Sequence, residues 1–116
     1  MPARPDGGVA SDALGRGLDL ARRGEYFAAH EALEDAWRAS ATDERDFFQG
    51  LVHVVVAWYQ AGRGNKTGCE RQLEKAARRL GPFSPEHRGV DVAALLGQVA
   101  EAQALGTLEL RPLDVP

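Results

Sequence analysis

Cysteine, charge of one sign and long apolar runs are what this chain lacks. Cys69 is its one cysteine among 116 residues, which excludes an internal disulfide and every multi-cysteine metal motif. Such a chain suits a reducing compartment, and a cytoplasmic location is expected. Fourteen Lys and Arg against 17 Asp and Glu leave a formal net charge of −3. Nucleic-acid binding asks for a basic patch, so no such partner is expected. The most apolar stretch, Phe47 to Tyr59, is interrupted by Gln49 and His53 and falls short of the ~18 residues of a membrane span. Residues 1–8 hold two prolines and two glycines and no apolar run, which reads as a frayed end rather than a signal peptide. No strand pattern precedes the tail, and no internal repeat is evident.

Glycine, by contrast, recurs 13 times and punctuates one amphipathic stretch after another. The first helix is expected to start near Ser11 or Asp12 and to stop at Gly24, with Leu14, Leu18 and Ala21 as its stripe. Gly15 and Gly17 weaken it by roughly 1 kcal/mol each. A second helix runs from Glu25 to Ala39. Thr42 or Asp43 caps a third, which continues to Ala61 and ends at Gly62-Arg63-Gly64. Asn65 caps a fourth, ending at Gly81-Pro82. Residues 82–90 form a loop, Asp91 caps a fifth helix with stripe Val92, Leu95, Leu96 and Val99, and Gly106 stops it. Short connections mean antiparallel neighbours. The expected fold is all-α: an up-and-down bundle of about five helices in one domain, residues 10–106. A flexible segment 1–9 precedes it and an extended tail 107–116 follows. The third helix, apolar nearly all round, belongs at the centre.

The second helix carries the chemistry. At about 100° per residue, Glu34 lies about 40° from His30, Trp37 about −20°, Phe27 about 60° and Tyr26 about −40°. An imidazole and a carboxylate thus fall within an aromatic stripe, and buried polar groups need partners. The turn between helices two and three centres near residue 42, so residues at equal depth sum to about 84. If the polar strip of helix three faces helix two, His30, Glu31, Glu34, Arg45, Gln49 and His53 converge, and Gly50 lets the two backbones approach.

Three chemistries fit. A structural network fixes helix register, with His30 and Glu34 paired at i, i+4 and Arg45 and Gln49 satisfying the carboxylate. A metal-dependent hydrolase uses His30 and Glu34 as ligands, His53 as a third and Glu31 as base, after the His-Glu-x-x-His spacing of zinc proteases. A small-molecule or peptide pocket has a charged floor walled by Tyr26, Phe27, Trp37 and Trp58. The last is the expected function and the hydrolase its runner-up. No cofactor is called for outside the metal reading. The partner is a small molecule or a protein, a second copy of the chain included.

Elsewhere the pattern is plainer. Cys69 falls on the Leu73, Ala76, Leu80 face of helix four, as a small core residue. Arg71, Lys75, Arg78 and Arg79 form a solvated face. His87 is expected to be exposed in its loop.

Gly24-Glu25-Tyr26 with Ala29-His30-Glu31-x-x-Glu34-x-x-Trp37, followed by Arg45-x-x-x-Gln49-Gly50-Leu51, resembles the small helical family called domain of unknown function 309. Weaker matches are Gly68 and Gly89-Val90-Asp91, and the resemblance spans residues 16 to 105. It implies an all-α bundle and no activity. The family's polar positions carry over to His30, Glu31, Glu34, Trp37, Arg45 and Gln49. His53 departs from the pattern. Tyr59 stands where members often place a histidine, and Cys69 where a small residue is usual.

Overall fold

Residues 7–116 are described by a computed structural model. Five helices follow one another: α1 (Gly7–Arg22), α2 (Tyr26–Ala39), α3 (Arg45–Gly62), α4 (Lys66–Leu80) and α5 (Val92–Leu105). Each packs principally on its sequence neighbours, in a body of 49 × 25 × 21 Å. The all-α antiparallel bundle is the observed fold, with α3 in the middle of the row.

Helix ends follow local chemistry, with two differences from expectation. The side chain of Asn65 accepts the Gly68 N–H at the start of α4, and that of Asp91 accepts the Ala94 N–H at the start of α5. Gly106 closes α5 in the left-handed conformation at φ 63°. However, α1 starts at Gly7 rather than Ser11, so Gly7–Val9 belong to a helix and only residues 1–6 of the expected flexible segment lie outside the described residues. Neither Thr42 nor Asp43 caps α3; Thr42–Glu44 form a 3₁₀ turn that runs straight into it.

The loop after α4 is more ordered than expected. Gly81–Phe83 form a 3₁₀ turn, and β1 (Glu86–His87) pairs antiparallel with β2 (Val90–Asp91). Arg88 and Gly89 turn the hairpin with φ of 51° and 79°, the two left-handed residues that a tight two-residue connection demands. Arg88 is not a glycine, and it is held there from outside. Its Nε lies 3.1 Å from Glu44 Oε1 and its guanidinium stacks 5.0 Å from the Phe48 ring. His87 Nε2 reaches the same carboxylate at 2.9 Å, with its ring between Phe47 and Phe83. His87 is therefore not a free loop residue: it ties the hairpin to the start of α3.

The burial pattern shows a repeat that the residue pattern alone did not suggest. Gly24 and Gly64 end α1 and α3 with φ of 76° and 77°. Both turns close with the same six-residue bond, Glu25 N–H to Leu20 O at 3.0 Å and Asn65 N–H to Gln60 O at 2.9 Å, the Schellman arrangement. Forty positions separate the two glycines, and seven of the nine buried positions from Ala10 to Ala36 have a buried counterpart at that spacing. Ala10, Leu14, Gly17, Ala21, Ala29, Leu33 and Ala36 answer to Gly50, Val54, Ala57, Ala61, Cys69, Leu73 and Ala76, all buried. The fold is thus two helical hairpins of one design followed by α5, a quasi-repetitive stack.

Each hairpin brings its helices together through a glycine. A Cβ on Gly17 would lie 2.6 Å from Leu33 Cγ of α2, and one on Gly50 would lie 2.6 Å from Leu80 Cγ of α4. Both leucines are fully buried. Gly50 therefore admits α4, not α2 as the sequence reading had it.

These notches have opposite consequences to the open glycine nearby. Gly15 is exposed with nothing within reach of an added Cβ, so Gly15→Ala is expected to stabilise by roughly 0.5–1 kcal/mol through helix propensity. Gly50→Ala gains the same propensity but forces Leu80 off its site, for a net loss of roughly 1–2 kcal/mol. Urea unfolding of the two variants should give opposite signs.

Candidate functional site

Helix α2 buries Ala29, Ala32, Leu33 and Ala36. That small-residue face is consumed by α1 and α3. Its rim, at i, i+3, i+7 and i+10, carries Phe27, His30, Glu34 and Trp37. Arg45 and Tyr59 of α3 meet this rim, and Gln49, Val52 and Val56 lie between them at helical spacing. The Arg45 guanidinium stacks 5.0 Å from the Trp37 ring at one end, and Phe27 meets Tyr59 at 5.3 Å at the other. Those pairs sum to 82 and 86, either side of the expected depth match.

The depth was right, and the expected burial was not. Among the described residues no polar or charged side chain is buried. The side chains of His30 and Glu34 keep 24% and 34% of their exposure. Glu31 and Arg45 are exposed, and Trp37 and Gln49 are half-buried. An ionised carboxylate in the core would need several partners to offset its desolvation; at the rim, water supplies them. The site is a half-open strip over the α2–α3 seam.

Within it, His30 Nε2 lies 3.0 Å from Glu34 Oε1, and Nδ1 lies 3.2 Å from Phe27 O. Both ring nitrogens face oxygen acceptors, so the imidazolium satisfies both contacts and the neutral ring only one. The Phe27 ring rests 5.3 Å from that of His30 and is itself 51% exposed. Beyond it opens an apolar cleft of ≈ 630 Å3 walled by Tyr26, Phe27, Trp58, Tyr59 and Arg63. Arg63 donates to Tyr59 Oη at 2.8 Å. Trp37 stands at the far end of α2, so the four expected aromatic walls do not enclose one pocket.

His53 leaves the strip altogether. Its Nδ1–H donates to Gln72 Oε1 of α4 at 2.6 Å, and its Nε2 is buried without a partner. Burial holds its pKa below the ordinary 6.5, and the positive charges of Arg79, Lys75 and Arg78 push the same way, against the Gln72 bond. The proposed third metal ligand thus faces the wrong helix. Among the described residues no three His, Cys, Asp or Glu side chains gather as ligands of one ion.

Arg79, expected on a solvated face, reaches Asp46 of α3 at 2.6 Å. Cys69 is in the core as expected, and burial, with the charge of Glu70, raises its thiol pKa; this is an inert thiol. Sequence reasoning missed the grip of Glu44 on His87 and Arg88, whose partners are 43 and 44 positions away with no local signal. It also missed Tyr59 as the partner of Phe27, which the depth rule could have supplied.

A five-helix body with a polar strip across its α2–α3 seam defines a small all-helical module. Residues 14–72, half of the chain, match the family described as Domain of unknown function (DUF309). The chain belongs to that family, for which no function is assigned. The matched segment ends in α4, short of Gly89-Val90-Asp91. Two relatives carry the same lack of description. One is an uncharacterised protein, YpuF, of Bacillus subtilis (strain 168), 32% identical over 68 residues, which are 58% of this chain and 37% of that protein. The other is an uncharacterised protein of Aquifex aeolicus (strain VF5), 24% identical over 88 residues, 75% of this chain and 26% of that protein. The chain therefore spans between about a quarter and little more than a third of the length of these relatives.

His53 gives the α3–α4 contact a pH dependence. Its depressed pKa means that the unfolded chain binds the proton more readily than the folded one. The contribution is present above the ordinary pKa of 6.5 and is lost as pH falls through 6.5 toward the lower folded value. Between about pH 7.5 and about pH 5 the urea midpoint should fall further for the parent chain than for His53→Asn, which keeps a donor toward Gln72 but cannot titrate.

Proposed function

We propose that the protein is a cytoplasmic binding module that takes a small molecule or a peptide along the α2–α3 strip. His30, Glu31 and Glu34 supply its polar face, Arg45 and Trp37 close one end, and Gln49 orients a bound group. Tyr26 and Phe27 open the other end into the aromatic cleft. The observation that carries this reading is placement. Among the described residues no polar side chain is buried, so His30 and Glu34, paired at the rim of α2, are not there to satisfy a buried group. A large aromatic side chain, Phe27, stands half out of the surface at its edge. Net charge of −3 argues against a nucleic-acid partner. The thiol is buried and unpaired, which suits a reducing compartment. Among the described residues no helix is long and apolar enough to cross a membrane.

Stability and binding separate this reading from a structural network. The His30–Glu34 pair is half open to water, and an i, i+4 pair at a helix surface contributes about 0.3–0.5 kcal/mol. Glu34→Gln should therefore leave the unfolding free energy within about 1 kcal/mol of the parent, whereas a buried network would lose about 3–5 kcal/mol. In parallel, isotope-labelled protein is titrated with a metabolite library and a random peptide library. Amide shifts confined to residues 27–37 and 45–49, abolished by Phe27→Ala and Trp37→Ala, are expected. A large loss on Glu34→Gln, or ligands that ignore both substitutions, would overturn the proposal.

A further inference from the structure

The tail after Gly106 is not loose. After a bend at Thr107 and Leu108, residues 109–116 run back across the helices, and side chains from four of them hold its backbone. Trp58 Nε1–H of α3 donates to Arg111 O at 2.8 Å. Tyr26 Oη of α2 accepts the Leu113 N–H at 3.1 Å. Arg22 Nε–H of α1 donates to Val115 O at 3.0 Å. Gln98 of α5 makes a matched pair on one residue, its Nε2 donating to Asp114 O at 2.6 Å and its Oε1 accepting the Asp114 N–H at 2.8 Å. An amide side chain bonded to both backbone groups of one extended residue fits a peptide whatever side chain that residue carries.

Side-chain selection comes from the alternation. Leu113 and Val115 are buried to 5% and 7% exposure, while Pro112, Asp114 and Pro116 face outward. The surface thus reads a backbone and two apolar residues at i and i+2, the geometry of an extended ligand with alternating faces. The tail does not fill the space: a cleft of ≈ 460 Å3 lies between it and α5, walled in part by Ala94, Glu101 and Leu105. Its connection to α5 is a left-handed glycine, a position where the chain can swing.

We propose that this groove is a peptide-binding site, distinct from the α2–α3 strip, whose resident ligand is the chain's own tail and whose occupant in trans is the same segment, residues 111–115, of a second copy. A segment that docks within its own chain docks identically between chains once the connection opens, the logic of exchanged elements in symmetric dimers. The tether gives the resident tail an effective concentration of about the millimolar range. The closed monomer therefore prevails in dilute solution, and exchange needs either high concentration or a tail that has lost its anchors.

Two tryptophans make the test direct, because Trp58 holds the tail and Trp37 lies in the other site. In the full chain carrying Leu113→Asp, the indole N–H resonance of Trp58 should shift saturably with micromolar synthetic peptide Thr107–Pro116, while that of Trp37 stays in place. The parent chain should need at least tenfold more peptide. Mixed with a Gln98→Ala, Trp58→Phe chain, which keeps its tail but has a damaged groove, the Leu113→Asp chain should form a one-to-one heterodimer in sedimentation. A folded Leu113→Asp chain whose Trp58 ignores millimolar peptide would overturn the proposal, and so would a shift confined to Trp37. Should Leu113→Asp lose its helical circular dichroism, hydrogen exchange on the parent chain decides. Asp114 N–H is expected to exchange at least tenfold faster than the core amides of α3, through local opening; exchange of Asp114 only with global unfolding would sink the idea.

Discussion

A leucine seated in a glycine notch sets the dimensions of each helical hairpin. Leu33 sits against Gly17 and Leu80 against Gly50, both fully buried, and full burial of such a side chain is worth about 1.5–3 kcal/mol. The closeness of α1 to α2, and of α3 to α4, follows from having no Cβ at those points. With that approach fixed, Ala29, Ala32 and Ala36 complete the inner face of α2 around Leu33. His30 and Glu34, a step away around the helix, are left at the rim. The polar strip is therefore a consequence of how tightly the hairpins close.

The same arithmetic explains what could be read from the residues in advance. Helix ends were legible because caps and left-handed glycines are local chemistry: Asn65, Asp91, Gly24, Gly64 and Gly106 act within four residues of themselves. Depth was legible because an antiparallel hairpin conserves the sum of paired positions, as Trp37 with Arg45 and Phe27 with Tyr59 bear out. Azimuth was not. A helical wheel gives angles within one helix but not which angle faces a neighbour. His53 and Gly50 of α3 are expected to face α2, and both face α4. The repeat was hidden for a related reason. Its positions share small size or burial more often than identity: Ala21, Leu33 and Ala36 recur as Ala61, Leu73 and Ala76, while Ala10, Leu14, Gly17 and Ala29 are replaced by Gly50, Val54, Ala57 and Cys69.

Long-range polar contacts were the least legible. Glu44 stands at the N-cap of α3, but its side chain makes no capping bond there. Its carboxylate instead holds His87 and Arg88 of the hairpin, an attachment that keeps Arg88 in a left-handed conformation of a kind that costs about 1–3 kcal/mol for a residue with a side chain. The hairpin in turn delivers Val90 and Val92 to the core. This fixes where α5 lands, and the position of α5 decides where its Gln98 meets the tail.

The strip and the tail groove meet at the first turn of α2. Tyr26 and Phe27 are adjacent in sequence and diverge by about 100° around the helix. One phenol accepts a backbone N–H of the tail, and the other ring packs on His30 and Tyr59. Tyr26 and Trp58, which grip the tail through their polar atoms, also present their rings to the cleft that opens beyond Phe27. A single wall thus has two faces. The hydrogen bonds that fix the tail fix the rotamers of Tyr26 and Trp58, and those rotamers shape the cleft. Among the described residues no such shared side chain stands at the other end of α2, where Trp37 meets Arg45 and packs on the core. The shape of the aromatic cleft is therefore set by whatever occupies the tail groove, while the charged end of the strip is independent of it.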